Sequence, residues 1–256
     1  MKKIYVMLPC FNEEYNIGAL IDNWMKQRSR LQHMDYDIQV RAIDDASTDN
    51  TNRIIVDKIG EYPENVGIIV HKFNKNLYGG LNTSINYFLQ NANEEDLMCL
   101  MDGDNTHDPS YAYEMVNKLI HDQNTECVIA SRYCSNSSVL GLTTFRKSMS
   151  VFARVYYTII LHVPGVKDYT CGYRVYRHSA INRLVKRFGK DPIHEKSFAC
   201  MMELLYKLYL TGTRFAEVGF ELRYDKKLGE SKMNVGLTAR KSINAALKLR
   251  ALKKNL

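Results

Sequence analysis

Leu97-Met98-Cys99-Leu100-Met101-Asp102-Gly103-Asp104 is the stretch that decides the fold. Its five apolar residues are too few for a helix or a membrane span. They fit a strand covered on both faces of a parallel sheet. The run stops at two carboxylates separated by one glycine. On a strand-end turn, such carboxylates can share a hard divalent cation, which takes oxygen ligands and leaves positions for substrate phosphates. A plain Asp-Gly turn has the same residues. An EF-hand loop does not fit, because its sixth position would be His107 rather than glycine and its twelfth Tyr113 rather than glutamate.

Before this strand, short apolar runs alternate with helical spacing. Strands are expected over 4–8, 37–43 and 66–73. Helices are expected over 16–31, around Ile54, Ile55 and Ile59, and over 78–91. After it, Pro109 opens a helix at its first turn, and 127–131 is a fifth strand. Further on come an apolar, aromatic helix over 146–161, a polar turn over 168–174, a helix over 195–210 stopped by Gly212, a strand over 214–223 and a basic helix from Val235. Strands alternating with helices predict an α/β fold, a mostly parallel sheet with helices on both faces. Ligands of such sheets bind beyond the carboxyl ends of the strands.

Two further polar clusters fall at strand ends. Asp44-Asp45 closes the second strand and can accept hydrogen bonds from a ribose or a base edge, or simply be a solvated turn. Pro9-Cys10-Phe11-Asn12-Glu13-Glu14 closes the first; its aromatic and carboxylate can stack on and bond a nucleobase, or cap the next helix.

The 256 residues suit one large domain, with enough apolar content for a sizeable core. A net charge of +7 points to an anionic partner: nucleic acid, lipid headgroups or a phosphorylated substrate. None of the six cysteines forms a Cys-x-x-Cys pair, as expected of reduced core cysteines in a cytosolic protein. Dinucleotide-binding and P-loop glycine patterns, His-Glu-x-x-His and Gly-x-Ser-x-Gly are all absent.

Taken in order, the strand-end clusters resemble family 2 glycosyltransferases of the GT-A (nucleotide-diphospho-sugar transferase) fold. The narrower likeness is to dolichyl-phosphate mannose synthases and bacterial polyprenyl-phosphate relatives. The likeness rests on seven stretches: 9–14, 43–49, Asn76 with Gly79-Gly80, Asp102-Gly103-Asp104 with His107 and Pro109, Ser131-Arg132, 168–174, and Gly229-Glu230-Ser231-Lys232. The resemblance implies a nucleotide-sugar donor, GDP- or UDP-linked, and an inverting transfer. It implies that Pro9, Phe11, Glu13, Asp44, Asp45 and Asp102 bind the nucleotide and that Asp102 and Asp104 hold Mg²⁺ or Mn²⁺. Asp104 and Asp168 are the expected catalytic carboxylates, the latter as base or orienting group. A lipid-phosphate acceptor is implied, held by Arg132, Arg146, Ser150, Lys226 and Lys232. Two positions depart from the family pattern: Thr106 replaces a common glutamine, and Lys226 replaces a usual arginine, keeping the charge but losing the bidentate fork.

The expected organisation is a catalytic domain over 1–232, with a nucleotide-sugar half (1–132) and an acceptor half (133–232), followed by a basic amphipathic helix over 233–256. No window offers the roughly 18 apolar residues of a membrane span. The segments 149–166 and 237–254 mix apolar and basic residues, as a peripheral protein at the cytoplasmic face of a membrane would. Two other readings stand beside this one. One is a family 2 transferase using a hydroxyl acceptor. The other is a non-catalytic nucleotide- or nucleic-acid-binding module, disfavoured because acidic strand ends repel a phosphate backbone.

Overall fold

The computed structural model describes residues 1–141, 144–226 and 235–254; for 144–147, 226, 235–242 and 254 only the backbone is described. The side chains of Arg146 and Lys226, and all of Lys232, therefore lie outside the described residues.

In chain order the elements are β1 (Lys2–Cys10), α1 (Ile17–Met25), α2 (Arg28–Gln32), β2 (Tyr36–Asp44), α3 (Thr51–Glu61), β3 (Val66–Val70), α4 (Asn76–Asn91) and β4 (Leu97–Leu100). A 3₁₀ turn at Pro109–Tyr111 leads into α5 (Ala112–His121). Then follow β5 (Cys127–Ser131), β6 (Ser138–Leu140), α6 (Thr144–Leu161), β7 (Arg174–Arg177), α7 (His178–Phe188), α8 (Cys200–Leu210), β8 (Phe215–Gly219), β9 (Glu221–Arg223) and α9 (Val235–Lys254). The main sheet has the order β3-β2-β1-β4-β7-β5-β8, and β6 pairs with β9 in a small second sheet. Every main-sheet pairing is parallel except the two made by β7.

The sheet is mostly parallel and covered, as the unbroken apolar runs predict. Ile4, Val6, Met7, Leu8, Val128 and Ile129 are fully buried, and Trp24 of α1 packs edge-on to Tyr173. The α1 spacing works as expected, burying Ile17, Leu20, Ile21 and Trp24. The helix nevertheless stops at Met25, because only Leu31 continues the apolar stripe beyond it. The expected strand over 214–223 breaks at Phe220, whose ring is buried against His107 and Tyr111, and β9 leaves for the second sheet. The expected helix over 195–210 begins only at Cys200; before it, the Glu195 side chain accepts from the backbone and hydroxyl of Ser197.

The sequence reading does not anticipate β7, α7 or β6, although Ala180, Ile181 and Leu184, which α7 buries, do have helical spacing. β7 is short and bounded by arginines, so it reads as polar. Arg174 is nonetheless fully buried, donating to the carbonyls of Met201 and Tyr169 at 2.9 Å each. Two backbone carbonyls make a buried guanidinium tolerable where a bare charge would not be, although Arg174 Nε is left buried without a hydrogen-bond partner.

Candidate functional site

β1, β2 and β4 lie side by side and run the same way, so their carboxyl ends open on one edge. Cys10 stands opposite Asp44, and Met7 opposite Leu100. The three clusters singled out in the sequence thereby become one site. The turns are packed closely. A Cβ on Gly103 would lie 2.9 Å from Cys10 Cβ and 3.1 Å from the Pro9 carbonyl; one on Gly80 would lie 2.9 Å from Pro9 Cβ. The left-handed backbone of Asn12, Ala46, Asn76 and Asn105 (φ between 53° and 61°) turns the chain at these ends. Asparagine adopts this conformation readily, but alanine does so at a cost.

The β1 and β2 loops are laced together. Asn12 N–H donates to Ser47 Oγ (3.0 Å), Thr48 N–H to Asn12 Oδ1 (2.8 Å), and Glu13 N–H to Thr51 Oγ1 (2.7 Å). Glu13 also accepts from Asn16 Nδ2 at 2.8 Å, closing the turn into α1. Both aspartates of the β2 end are buried and engaged. Asp44 accepts from Ser47 N–H and Asn52 Nδ2, each at 3.0 Å. Asp45 Oδ1 lies 2.6 Å from His71 Nδ1 and accepts from Lys75 N–H at 2.8 Å, while His71 Nε2 lies 2.8 Å from Thr83 Oγ1. A carboxylate only accepts, so His71 Nδ1 carries the proton. His71 and Thr83 were not legible as site residues, because neither stands in a motif and each meets its partner only through the fold.

Asp102 and Asp104 sit half-buried past β4. Thr106 donates to Asp104 Oδ1 through Oγ1 (2.7 Å) and N–H (3.2 Å), holding that carboxylate in place. The second half of the chain reaches the pair through Gly172, where a Cβ would come within 2.8 Å of Asp102 Oδ1. No larger residue fits there while Asp102 keeps its position. The donor set is two carboxylates, and no group of three or more His, Cys, Asp or Glu among the described residues could hold a metal ion. Such a partial, all-oxygen set suits Mg²⁺ or Mn²⁺, which fill the remaining positions with water and phosphate oxygens. Beneath the turn, His107 stacks on Phe220 (5.4 Å between centroids), and burial drives its pKa down to about 4.

Of the two parts expected for Asp168, base or orienting group, its surroundings favour the second. It is fully buried and gripped by Arg132, whose Nε donates to Oδ2 (2.7 Å), Nη2 to Oδ1 (2.6 Å) and backbone N–H to Oδ2 (3.1 Å). The N–H groups of Thr170 and Cys171 add two more bonds at 3.2 and 3.0 Å. Burial alone would raise its pKa, but the guanidinium and these donors hold it below the ordinary carboxylate value. A sealed carboxylate with that many donors is poorly placed to take a proton from an acceptor; its five bonds tie Arg132 to the turn that carries Gly172. Arg132 also donates to Thr170 Oγ1 (2.6 Å), and its side chain keeps 15% exposure. Next to it, Tyr133 Oη lies 2.6 Å from Ser150 Oγ on α6. Ser150 and Arg132 are thus neighbours through Tyr133, while Pro9 and Phe11 stand at the carboxyl end of β1.

The chain matches the family model described as Glycosyl transferase family 2 over residues 5–185. It is 22% identical over 233 residues to a polyprenol monophosphomannose synthase of Mycolicibacterium smegmatis, covering 91% of this chain and 82% of that one. It is 22% identical over 217 residues to a dolichyl-phosphate beta-glucosyltransferase of Dictyostelium discoideum, covering 83% of this chain and 64% of that one. Among solved structures, glucosyl-3-phosphoglycerate synthase from Mycobacterium tuberculosis in complex with Mn²⁺, UDP and glucosyl-3-phosphoglycerate superposes with a TM-score of 0.70 at 17% identity, covering 98% of this chain and 80% of that one. The mannosyltransferase PcManGT from Pyrobaculum calidifontis, in complex with GDP-Man and Mn²⁺, superposes with a TM-score of 0.57 at 15% identity, covering 98% and 74%. These likenesses identify the architecture as GT-A.

Proposed function

The chain belongs to glycosyl transferase family 2, and from that premise we propose that it is a metal-dependent, inverting transferase moving a sugar from a GDP- or UDP-linked donor to a polyprenyl or dolichyl phosphate. Asp102 and Asp104 hold Mg²⁺ or Mn²⁺. The cation, when bound, neutralises charge on the departing nucleoside diphosphate. Phe11 and Pro9 face the base, and Glu13, Asp44 and Asp45 take the nucleoside's donors. An acceptor phosphate oxygen attacks the anomeric carbon as the bond to the nucleoside diphosphate breaks, inverting that centre. Arg132 and Ser150, with Arg146, Lys226 and Lys232, position the phosphate. In this reading the nucleotide-sugar half is 1–132 and the acceptor half 133–232.

The observation that carries this reading is the burial of Asp168 against Arg132. A sugar hydroxyl needs a base, and Asp168, one of the carboxylates open to that duty, is committed to Arg132. A phosphate monoester, with its second pKa near 6, is already an anion and needs only cations to position it. The names of the curated relatives favour the same acceptor class. No helix among the described residues is long and apolar enough to cross a membrane. We place the chain peripherally at the cytoplasmic face, in keeping with its free cysteines.

The test is a screen of GDP- and UDP-sugars by nucleotide release, with Mn²⁺ or EDTA, and with polyprenyl phosphate or a glycan as acceptor. Release that needs both metal and polyprenyl phosphate is expected. Turnover in EDTA, or a preference for glycan, would overturn the assignment. Asp104→Ala should lower transfer at least about 10²-fold, the scale on which removing a key electrostatic group acts, and should abolish the Mn²⁺-dependence of nucleotide binding measured by calorimetry.

A further inference from the structure

α6 and α9 share an outer face that the catalytic reading does not use. On α6, Phe152 (71% exposed), Val155 and Ile159 (66% exposed) form one stripe along the helix, with Val151 beside it. On α9, Ile243 and Leu247 stand out in the same way, one turn apart. The two helices touch: Tyr156 Oη donates to the Ile243 carbonyl at 3.2 Å. α9 meanwhile buries Ala245, Ala246 and Leu249 inward. The exposed residues are therefore surplus to what fixes α9 on the protein.

The two helices carry charge of one sign. α6 and α9 contain no Asp or Glu; among the residues whose side chains are described, α6 carries Arg154 and α9 carries Lys248, Arg250 and Lys253. Among the described residues no carboxylate pairs with Arg154, Lys248, Arg250 or Lys253. Between the end of α6, α8 and α9, a cleft of about 270 Å³ is lined by Ile159, His162, Tyr206, Arg250 and Lys253, among others. Lys253 is steadied by Tyr209, its Nζ 3.3 Å from the phenol oxygen. Cations beside an exposed apolar stripe match the layering of an anionic leaflet, with phosphate outside and acyl chain within.

We propose that the α6–α9 face is a membrane-docking surface and that the Arg250–Lys253 cleft seats the phosphate of an anionic phospholipid. A second copy of this chain would bring like charges together across a twofold contact, whereas an anionic leaflet matches both the charge and the apolar stripe. This deepens the membrane setting proposed above but does not depend on the proposed chemistry. Through Ser150 and Tyr133, α6 also ties the docking face to the Arg132 side of the site, so docking would bring the catalytic opening to the height of the headgroups.

The experiment is co-sedimentation with vesicles of phosphatidylcholine alone or mixed with phosphatidylglycerol, containing neither polyprenyl phosphate nor donor. Its outcome is thus separate from that of the transfer assay. The full chain should bind the anionic vesicles and not the neutral ones. Neutralising both cleft cations (R250Q with K253Q) should weaken binding about 30-fold, from roughly fivefold per basic residue at an anionic surface. F152S with I159S should abolish the binding that survives high salt. All four positions are solvent-facing, and circular dichroism checks that the variants fold. Equal binding to both vesicle types, unchanged binding by both variants, or a concentration-dependent dimer dissolved by F152S would each overturn the proposal.

Discussion

At Asp45 one carboxylate oxygen takes both the His71 ring and the Lys75 amide, which fixes the orientation of the carboxylate. His71 is in turn fixed by Thr83. If Asp45 bonds the nucleoside, His71→Gln should raise the donor KM by roughly tenfold, the worth of about one hydrogen bond, with kcat within about twofold; a fall in kcat at unchanged KM would contradict the positioning role. At His107 burial disfavours the imidazolium, with Asp104 opposing and Arg132 assisting. The unfolded chain binds this proton near the ordinary 6.5 and the folded chain only near 4. The contribution of the neutral ring is complete above 6.5 and is lost as pH falls towards 4, amounting to roughly 3 kcal/mol. Urea midpoints measured in EDTA across that range should fall for the wild type and flatten for His107→Gln.

At the level of elements, α8 does more than fill the core. Its buried Glu203–Lys207 pair (2.6 Å) lies one turn apart on the helix. Glu203 also accepts the N–H groups of His194 and Glu195, and Lys207 donates to the Pro192 carbonyl. α4 grips the same loop from the other side, through two bonds between Asn82 and the Ile193 backbone at 2.8 and 3.0 Å. Glu203→Ala would strand a buried ammonium, so a loss of about 3–5 kcal/mol is expected, read as a drop in the denaturant midpoint; a loss within about 0.5 kcal/mol would class the pair with surface ion pairs. Elements with clear apolar patterns were legible in the sequence: α4, β2, β4 and β5 lie where the spacing of apolar residues places them, and α1 begins there but ends early. β7 was not, because its burial is sustained by carbonyls that Arg174 meets only after folding. The same holds for the site. Asp102, Asp104, Asp44 and Asp45 stand out because they end apolar runs. The sequence left Asp168 open between base and orienting group, because nothing in the linear order announces its five-bond clamp with Arg132 and the 170–171 backbone.

For the whole molecule, β7 is the feature with the widest consequence. It comes from the second half of the chain yet lies between β4 and β5 of the first. The two halves of the site are therefore joined by one ladder, and any opening for substrates must come from loops rather than from a hinge between halves. A fragment ending at Arg132 should accordingly fail to give a native near-ultraviolet spectrum; a folded fragment would contradict this. The same insertion governs how the protein is born. While the ribosome is still making α6, β4 has β1 on one side and nothing on the other, and its Leu97–Leu100 backbone is an apolar edge open to any passing strand. The nascent chain passes through that sticky stage until Arg177 emerges, so translation speed across α6, and the chaperones available during it, set how much of this protein a cell can make.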